Sequence, residues 1–574
     1  MKSFKTINVL VIIMLLMSLL AGCLGGAKQE TVTEEGEDPV VSEIDDPERV
    51  IRTLEILTRP QASSPDEFET ANLILEGMQQ LGLSAELDVM PWEQMSDIVW
   101  YDRDQWDITG WQMAARPERL DPDEFIYNLF HSKNIADGYN FVGYNNPEYD
   151  SIAEKQRVEI DKETRKQLVY EAQEIIANDV PYFFNVNATL NYVYNNKVFE
   201  ESSIKEMAGL GIKNFWTYIH ATPKGEQKDF ILNSNDNIQA VNPLYISGSV
   251  DSWVTELVWD RLMRMGEDGL PKPWAAEKVE WVTDTEVKVT LHEGMKWHDG
   301  KPVTAEDVQY SFEVPLTDEV PMYKPFVENI EKIDVIDDLT LTFTLKAPYA
   351  AFETASLAKI NLIPKHVWEP IIEDLKTKPE NAESYQEEVP IGSGPFKFSN
   401  WKFSEELVLE ADKGHFAAPK IDRWIVRIVP NMEASLGMIQ NGEINFLATY
   451  LGDAQLLQQK VNETPSLTMV SSTDLGFRFF APNLRRAPFD DVAFRRAIAA
   501  IIDRDLLVGA IWKGFAEPSD SIISSALDFW KNPDLNYPSG GVEEAKKILA
   551  EAGYEWDKNG KLLYPEGNTE QISK

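Results

Sequence analysis

The stretch His292-Glu-Gly-Met-Lys-Trp-His-Asp-Gly-Lys-Pro-Val-Thr-Ala-Glu-Asp-Val-Gln-Tyr-Ser-Phe312 decides how the rest of the chain is read. It begins where Glu286-Val-Lys-Val-Thr-Leu-His292 ends, a run whose period of two predicts a strand. A turn follows, and Thr304 then opens a helix, its hydroxyl placed to cap Asp307 and its neighbours. Further on, Leu339-Thr-Leu-Thr-Phe-Thr-Leu345 alternates more cleanly and predicts another strand.

Other runs extend the pattern in both directions. Toward the C-terminus stand the glycine-rich turn Gly392-Ser-Gly-Pro-Phe396, Ile428-Val-Pro430, the helix run Ile439-Gln-Asn-Gly-Glu-Ile-Asn445, then Asn483, Pro488-Phe-Asp490, Arg495, Ala497 and Asp503-Arg504. Toward the N-terminus stand Asn145-Asn-Pro-Glu-Tyr-Asp150, Asp179-Val-Pro-Tyr-Phe-Phe-Asn-Val-Asn187 and Phe215-Trp-Thr-Tyr218. Together these segments resemble the extracellular solute-binding proteins, family 5, that serve peptide and nickel ABC transporters. The resemblance extends over nearly all of residues 51–574, with its pieces in an unusual order. The half that such proteins carry at the C-terminus comes first here, so the chain reads as circularly permuted, with the polar run Ala221-Thr-Pro-Lys-Gly-Glu-Gln-Lys228 as the junction.

The resemblance implies an α/β fold of the large periplasmic-binding-protein type, with two lobes and an extra subdomain. Residues 51–205 and 476–574 are expected to build one lobe together. Residues 206–262 and 392–475 are expected to form the second, with 263–391 as its subdomain. The strand Leu54-Glu-Ile-Leu57 should then lie beside the hairpin around Asn559-Gly560, because each end segment carries the apolar pattern the other lacks. Local signals fill in the first of these segments: a helix over 68–81 stopped by Gly82, an edge strand over 85–90, a strand over 107–111 and a helix over 164–177.

The N-terminus reads as an address. Lys2 and Lys5 precede the apolar run of residues 7–20, and Leu20-Ala-Gly-Cys23 follows it, as in a lipoprotein signal peptide. Residues 1–22 are therefore expected to be removed and Cys23, the single cysteine, to be lipidated. Residues 23–50 are acidic and polar and read as a tether. The expected location is the outer face of a cell membrane, or the periplasm. A formal net charge of −41 excludes nucleic acid as a partner, since phosphate contacts need a basic face.

The chain has no G-x-x-x-x-G-K-[ST] phosphate loop, no H-E-x-x-H zinc helix and no G-x-S-x-G elbow, so no enzymatic activity is expected. The resemblance puts His292 and His298 on a strand and its following turn, and no metal or cofactor is implied. What it does imply is a monomer that takes up a small molecule between its lobes and hands it to an ABC permease. An oligopeptide ranks first as ligand. An oligosaccharide of the same transporter class, or a role as a sensing subunit for chemotaxis or signalling, is the alternative.

In dipeptide-binding relatives an arginine after the first strand pairs with a ligand carboxylate, which makes Arg59 either that group or a surface arginine. Trp111, Gln112, Met113 and Ala114 fall where relatives line the cleft. Peptide-binding relatives tend to have Asp where this chain has Ala114, which argues against recognition of a free peptide N-terminus. Trp111 offers an apolar face for stacking, with Tyr245 and Trp253 as weaker candidates. Asn185 and Asn187 are candidate hydrogen-bond donors into the cleft, with strand-end capping as the plainer reading.

Overall fold

A computed structural model describes residues 44–567 apart from 45, 115–116, 137, 246–248, 318, 378–384, 386–388 and 451. The signal segment, Cys23 and most of the tether lie outside the described residues.

The first core grows from three parallel strands. β1 (Leu54–Thr58) pairs in register with β2 (Ala85–Val89) on one side and β3 (Ile108–Met113) on the other. The helix Pro65–Gln80 crosses between β1 and β2 and buries Thr70, Ala71, Ile74, Gly77 and Met78, a stripe of helical period. It begins three residues before the expected start, because Pro65 is already shaped for a first helical turn. Gly82 ends it with φ +85°, and a Cβ there would stand 2.0 Å from the Gly560 carbonyl oxygen. β17 (Phe477–Pro482) then runs antiparallel to β3, and β4 (Phe183–Asn195) antiparallel to β17. The short β18 (Ala516–Pro518) adds to β4.

Segments from the two ends of the described chain thus share one sheet and one apolar core, which draws on Ile51, Leu54 and Ile56 as well as Phe479, Leu549 and Leu562. The seam is close. Val50 bridges antiparallel to Leu563, Ile51 N–H donates to Leu562 O (3.3 Å), and Leu562 N–H donates to Gly82 O (3.0 Å). Arg49 donates to Tyr564 O and to Glu555 from the same side. The hairpin of β19 (Glu555–Trp556) and β20 (Leu562–Leu563) turns at Gly560, φ +78°.

The second core centres on β5 (Asp229–Ser234), parallel to both β14 (Arg423–Ile428) and β15 (Phe446–Leu447). β12 (Phe396–Lys402), β13 (Glu406–Ala411) and β14 form an antiparallel meander beside it. Attached is a four-stranded sheet in the order β10 (Ile330–Asp337), β11 (Thr340–Leu345), β9 (Glu286–Leu291), β8 (Ala276–Thr283), approached by the hairpin β6 (Met263–Met265) and β7 (Pro271–Pro273). The helix Ala305–Glu313 begins with the expected capping box: Thr304 and Asp307 exchange side-chain and backbone hydrogen bonds. Asp307 also accepts from Lys365 N–H, tying a second helix to the same carboxylate. The turn at Gly392 is a close approach: a Cβ would stand 1.9 Å from Val258 O. Residues 224–228, in the polar run after the helix Phe215–His220, are exposed.

β4 corrects the expected boundary at residue 205. Its first half pairs with β17 and β18, whereas Thr189 to Asn195 pair with β16 (Leu467–Thr473) and β15. Tyr192, Tyr194 and Phe199 accordingly pack in the second core, so the chain changes cores inside a strand, near Ala188. It returns between β16 and β17, at residues 474–476. A continuous backbone ladder holds both passages: Asp474 N–H donates to Ala188 O (2.8 Å).

Candidate functional site

In open α/β sheets ligands lie outside the carboxyl ends of the strands, where backbone N–H groups and loops converge. In the first core the carboxyl ends of β1, β2 and β3 carry Arg59, the Pro91-Trp92 turn, and Gln112 to Ala114. The start of β17 and the middle of β4 meet the same edge, because Phe477 pairs with Met113 and Arg478 with both Gln112 and Val186. The edge thus adjoins the two passages between the cores. There Asn187 Nδ2 donates to Gly476 O (2.8 Å) and Gly476 N–H to Asp474 Oδ1 (2.7 Å). No other residue fits at Gly476: a Cβ would stand 1.8 Å from Met113 O.

Arg59 does not wait there with a free fork. Its Nε and Nη2 donate to Glu67 Oε2 (2.9 and 2.5 Å), and its backbone N–H donates to Oε1 (2.9 Å). Glu67 sits in the first turn of the helix after β1, where a carboxylate also suits the helix dipole. The guanidinium lies 5.6 Å from the Trp92 ring centroid, a cation–π contact. Trp111 is buried, 8 % exposed, among Trp92, Trp100 and Phe141 at centroid distances of 4.0, 5.7 and 5.9 Å. Trp92 is 38 % exposed, so at this edge the accessible aromatic face belongs to a residue the sequence reading passed over. Its signal was a Pro-Trp pair closing an edge strand.

Of the remaining expected residues, Gln112 is half-buried, Met113 buried and Ala114 exposed. Asn185 and Asn187 are buried; Asn185 accepts from Ser519 N–H through its backbone, while its Oδ1 has no partner. Tyr245 and Trp253, both half-buried, belong to the second core's side, Trp253 on the helix Ser249–Val258. The structure therefore groups Arg59, Trp111, Gln112, Met113, Ala114 and Asn187 along one edge and leaves Tyr245 and Trp253 on the other core.

Arg478 is the second omission. Burial pushes its guanidinium below its ordinary value, and its Nη1 is sealed from solvent without a hydrogen-bond partner among the described residues. Asp474, Asp66 and Glu67 act on it only from a distance. An arginine set among Phe477, Phe479 and Phe480 was the available sign.

The two cores also touch away from the passages. Lys513, on the first, pairs with Asp453 (2.7 Å), which caps the helix Ala454–Asn462 of the second. Elsewhere Thr354 Oγ1 donates to the buried Asp121 (2.9 Å), and Ala350 N–H donates to Arg157 O (2.7 Å). Of the two histidines in the opening stretch, His298 holds Gly394 O (3.0 Å) and Gly392 N–H (3.2 Å), and His292 stacks on Phe416. Among the described residues no group of three or more His, Cys, Asp or Glu is placed to hold a metal ion. No helix of the described residues is long and apolar enough to cross a membrane.

Residues 271–573 match the family model described as bacterial extracellular solute-binding proteins, family 5 Middle. The oligopeptide-binding protein AppA of Bacillus subtilis is 28 % identical over 339 residues, 58 % of this chain and 60 % of that protein. The glutathione-binding protein GsiB of Pectobacterium atrosepticum is 24 % identical over 346 residues, 58 % of this chain and 63 % of that protein. The chain thus spans about three-fifths of the length of these curated relatives. The structure of Bacillus subtilis AppA in complex with a nonapeptide superposes with a TM-score of 0.44 at 25 % identity, covering 60 % of this chain and 68 % of that one.

Proposed function

The chain belongs to the bacterial extracellular solute-binding proteins, family 5, and from that premise we propose that it is the solute-binding component of an ABC importer. It captures an oligopeptide between its two cores and presents the closed form to the permease. The observation that supports this reading most is β4, a single strand hydrogen-bonded to both sheets, with the return at residues 474–476 beside it. Two adjacent backbone passages are the construction a hinge needs, because rotation there moves one core against the other without breaking either. In this reading the edge residues Arg59, Trp111, Gln112, Met113, Ala114 and Asn187 belong to one wall of the cleft, with Asn185 buried behind them on the strand of Asn187, and Tyr245 and Trp253 belong to the other. With Arg59 engaged by Glu67, its part is to hold Trp92 in place, and the exposed face of Trp92 supplies the stacking surface.

Mass spectrometry of ligand released from the purified protein tests the reading. Peptides are expected, together with a smaller radius of gyration when they are added back. Release of oligosaccharide instead would replace the peptide assignment, and the exposed face of Trp92, backed by Trp111, is the feature that favours that second reading. A ligand-induced gain in affinity for a chemoreceptor rather than a permease would move the protein to sensing.

Two finer points belong to the same proposal. Cys23 carries the lipid anchor; a Cys23→Ser chain that still partitions with membranes would refute this. The order of segments is a circular permutation of the family's, a reading supported by the seam between Val50 and Leu563 and the exposed run at 224–228. A rejoined chain running from 229 to 567 and on through 50 to 220 is expected to fold to the same thermal stability within a few degrees. Failure to fold would count against it.

A further inference from the structure

Residues 207–214 rest against both passages between the cores. Leu475 N–H donates to Gly209 O (2.9 Å), and a Cβ at Gly211 would stand 2.6 Å from the Tyr192 ring and 3.2 Å from Ser472 Oγ. Two residues further on, Lys213 places its ammonium 4.2 Å from the Trp253 ring centroid and 5.6 Å from that of Tyr192. No carboxylate of the described residues stands within ion-pair distance of it. In a chain with 95 acidic and 54 basic residues, a half-buried lysine left in that state is unusual.

The surroundings are those of a receptor for an anion. Burial brings the ammonium down to about 8, with Glu256 pulling it back up from farther off. Glu256 is itself pushed above the usual carboxylate range by burial, which weakens it as a counterion. Ser472, 5 % exposed, pairs with Leu190 and shares a face of the ladder with Tyr192, but its hydroxyl is sealed from solvent beneath Gly211 and stays out of reach of a ligand. Arg478 is also without a partner, but its free nitrogen is sealed from solvent, whereas Lys213 keeps accessible surface.

We propose that Lys213 receives the carboxylate of the bound ligand at the hinge, with Trp253 and Tyr192 as flanking walls. This rests on the oligopeptide reading and makes it specific: the peptide's free C-terminus enters first and lies against the strands that must bend. Closure and carboxylate recognition then share one place.

The test uses two random tetrapeptide libraries, one with free C-termini and one amidated, each incubated with the full chain and read by mass spectrometry after gel filtration. Wild type is expected to retain free acids over amides by tenfold or more. Lys213→Arg should keep that preference, and Lys213→Met, checked for native circular dichroism, should reduce it to within twofold while still retaining peptides. A folded Lys213→Met that keeps the full preference, or a wild type indifferent to amidation, overturns the assignment and leaves the peptide reading standing. Retention of no peptide from either library overturns the peptide reading and this assignment with it.

Discussion

Arg165 and Arg478 are both drawn into the first core, and the fold treats them in opposite ways. Arg165 meets Asp121 through two hydrogen bonds (3.0 and 2.6 Å), takes the Gln156 carbonyl (3.0 Å), and lies 5.2 Å from the Trp530 ring. Arg478 has a cross-strand glutamine, the ring of Trp512 at 5.7 Å, and no acceptor for Nη1. A buried cation whose every nitrogen finds an acceptor fixes architecture. One left unmet costs stability, and natural folds keep such a cost where function draws on it.

The first way to break the comparison is Arg165→Met. It leaves the Asp121 carboxylate buried with Thr354 and the Asp123 N–H as its remaining donors, so a loss of about 3–5 kcal/mol is expected in urea unfolding at pH 7. The pH dependence fixes the sign. Burial pushes the Asp121 carboxyl up, but Arg165 and the surrounding donors outweigh it and hold the group below the usual carboxylate range. Its contribution is therefore complete above about pH 4 and lost as pH falls through the lowered folded value. The gap between wild type and variant should narrow below that pH; a gap that stays constant would show that the ion pair is not its source.

Glu67→Ala comes next. It releases Arg59, half-buried at the strand edge, and should cost about 1.5–3 kcal/mol, as expected when a charged group loses its hydrogen bonds. Arg59→Ala should cost a similar amount, and the double variant little more, because the two remove one interaction. Additive losses would mean that Arg59 acts elsewhere.

Arg478→Met should change sign. With no acceptor to lose, removing the buried guanidinium is expected to stabilise the chain by about 1–2 kcal/mol. A destabilisation of the size seen for Arg165→Met would erase the contrast. The smallest effect belongs to Thr354→Val, which removes a hydroxyl reaching Asp121 from the other core and should cost about 1 kcal/mol. Small-angle scattering should show the variant's unliganded form more open than wild type, and an unchanged profile would mean that this contact does not help hold the cores together.

The same contrast explains what was legible. The capping box at Thr304, the alternation of β9 and β11, and Gly82 after the helix Pro65–Gln80 were all readable, because each is decided by residues within a few positions. Trp111 was legible as an aromatic near the site, but its burial was not, since that depends on Trp92 and Trp100 folding over it. Arg59 was legible as a cation after a strand. Its partner, eight residues on, was not, because only the turn between β1 and the helix brings Glu67 back to it. Lys213 carried no signal, its surroundings being assembled from β4, β16 and the helix Ser249–Val258.

By itself, then, the sequence determined the class of fold, the family resemblance and most of the strands and helices. Hydrophobic period, caps and glycine turns are short-range terms that each segment settles for itself. Only the tertiary structure decided that Leu54–Thr58 joins a sheet with Phe477–Pro482, that the chain changes cores within β4 rather than at residue 205, and which cations keep a counterion. Those outcomes depend on which distant segments meet, and desolvation and charge pairing are set at that meeting, not along the chain.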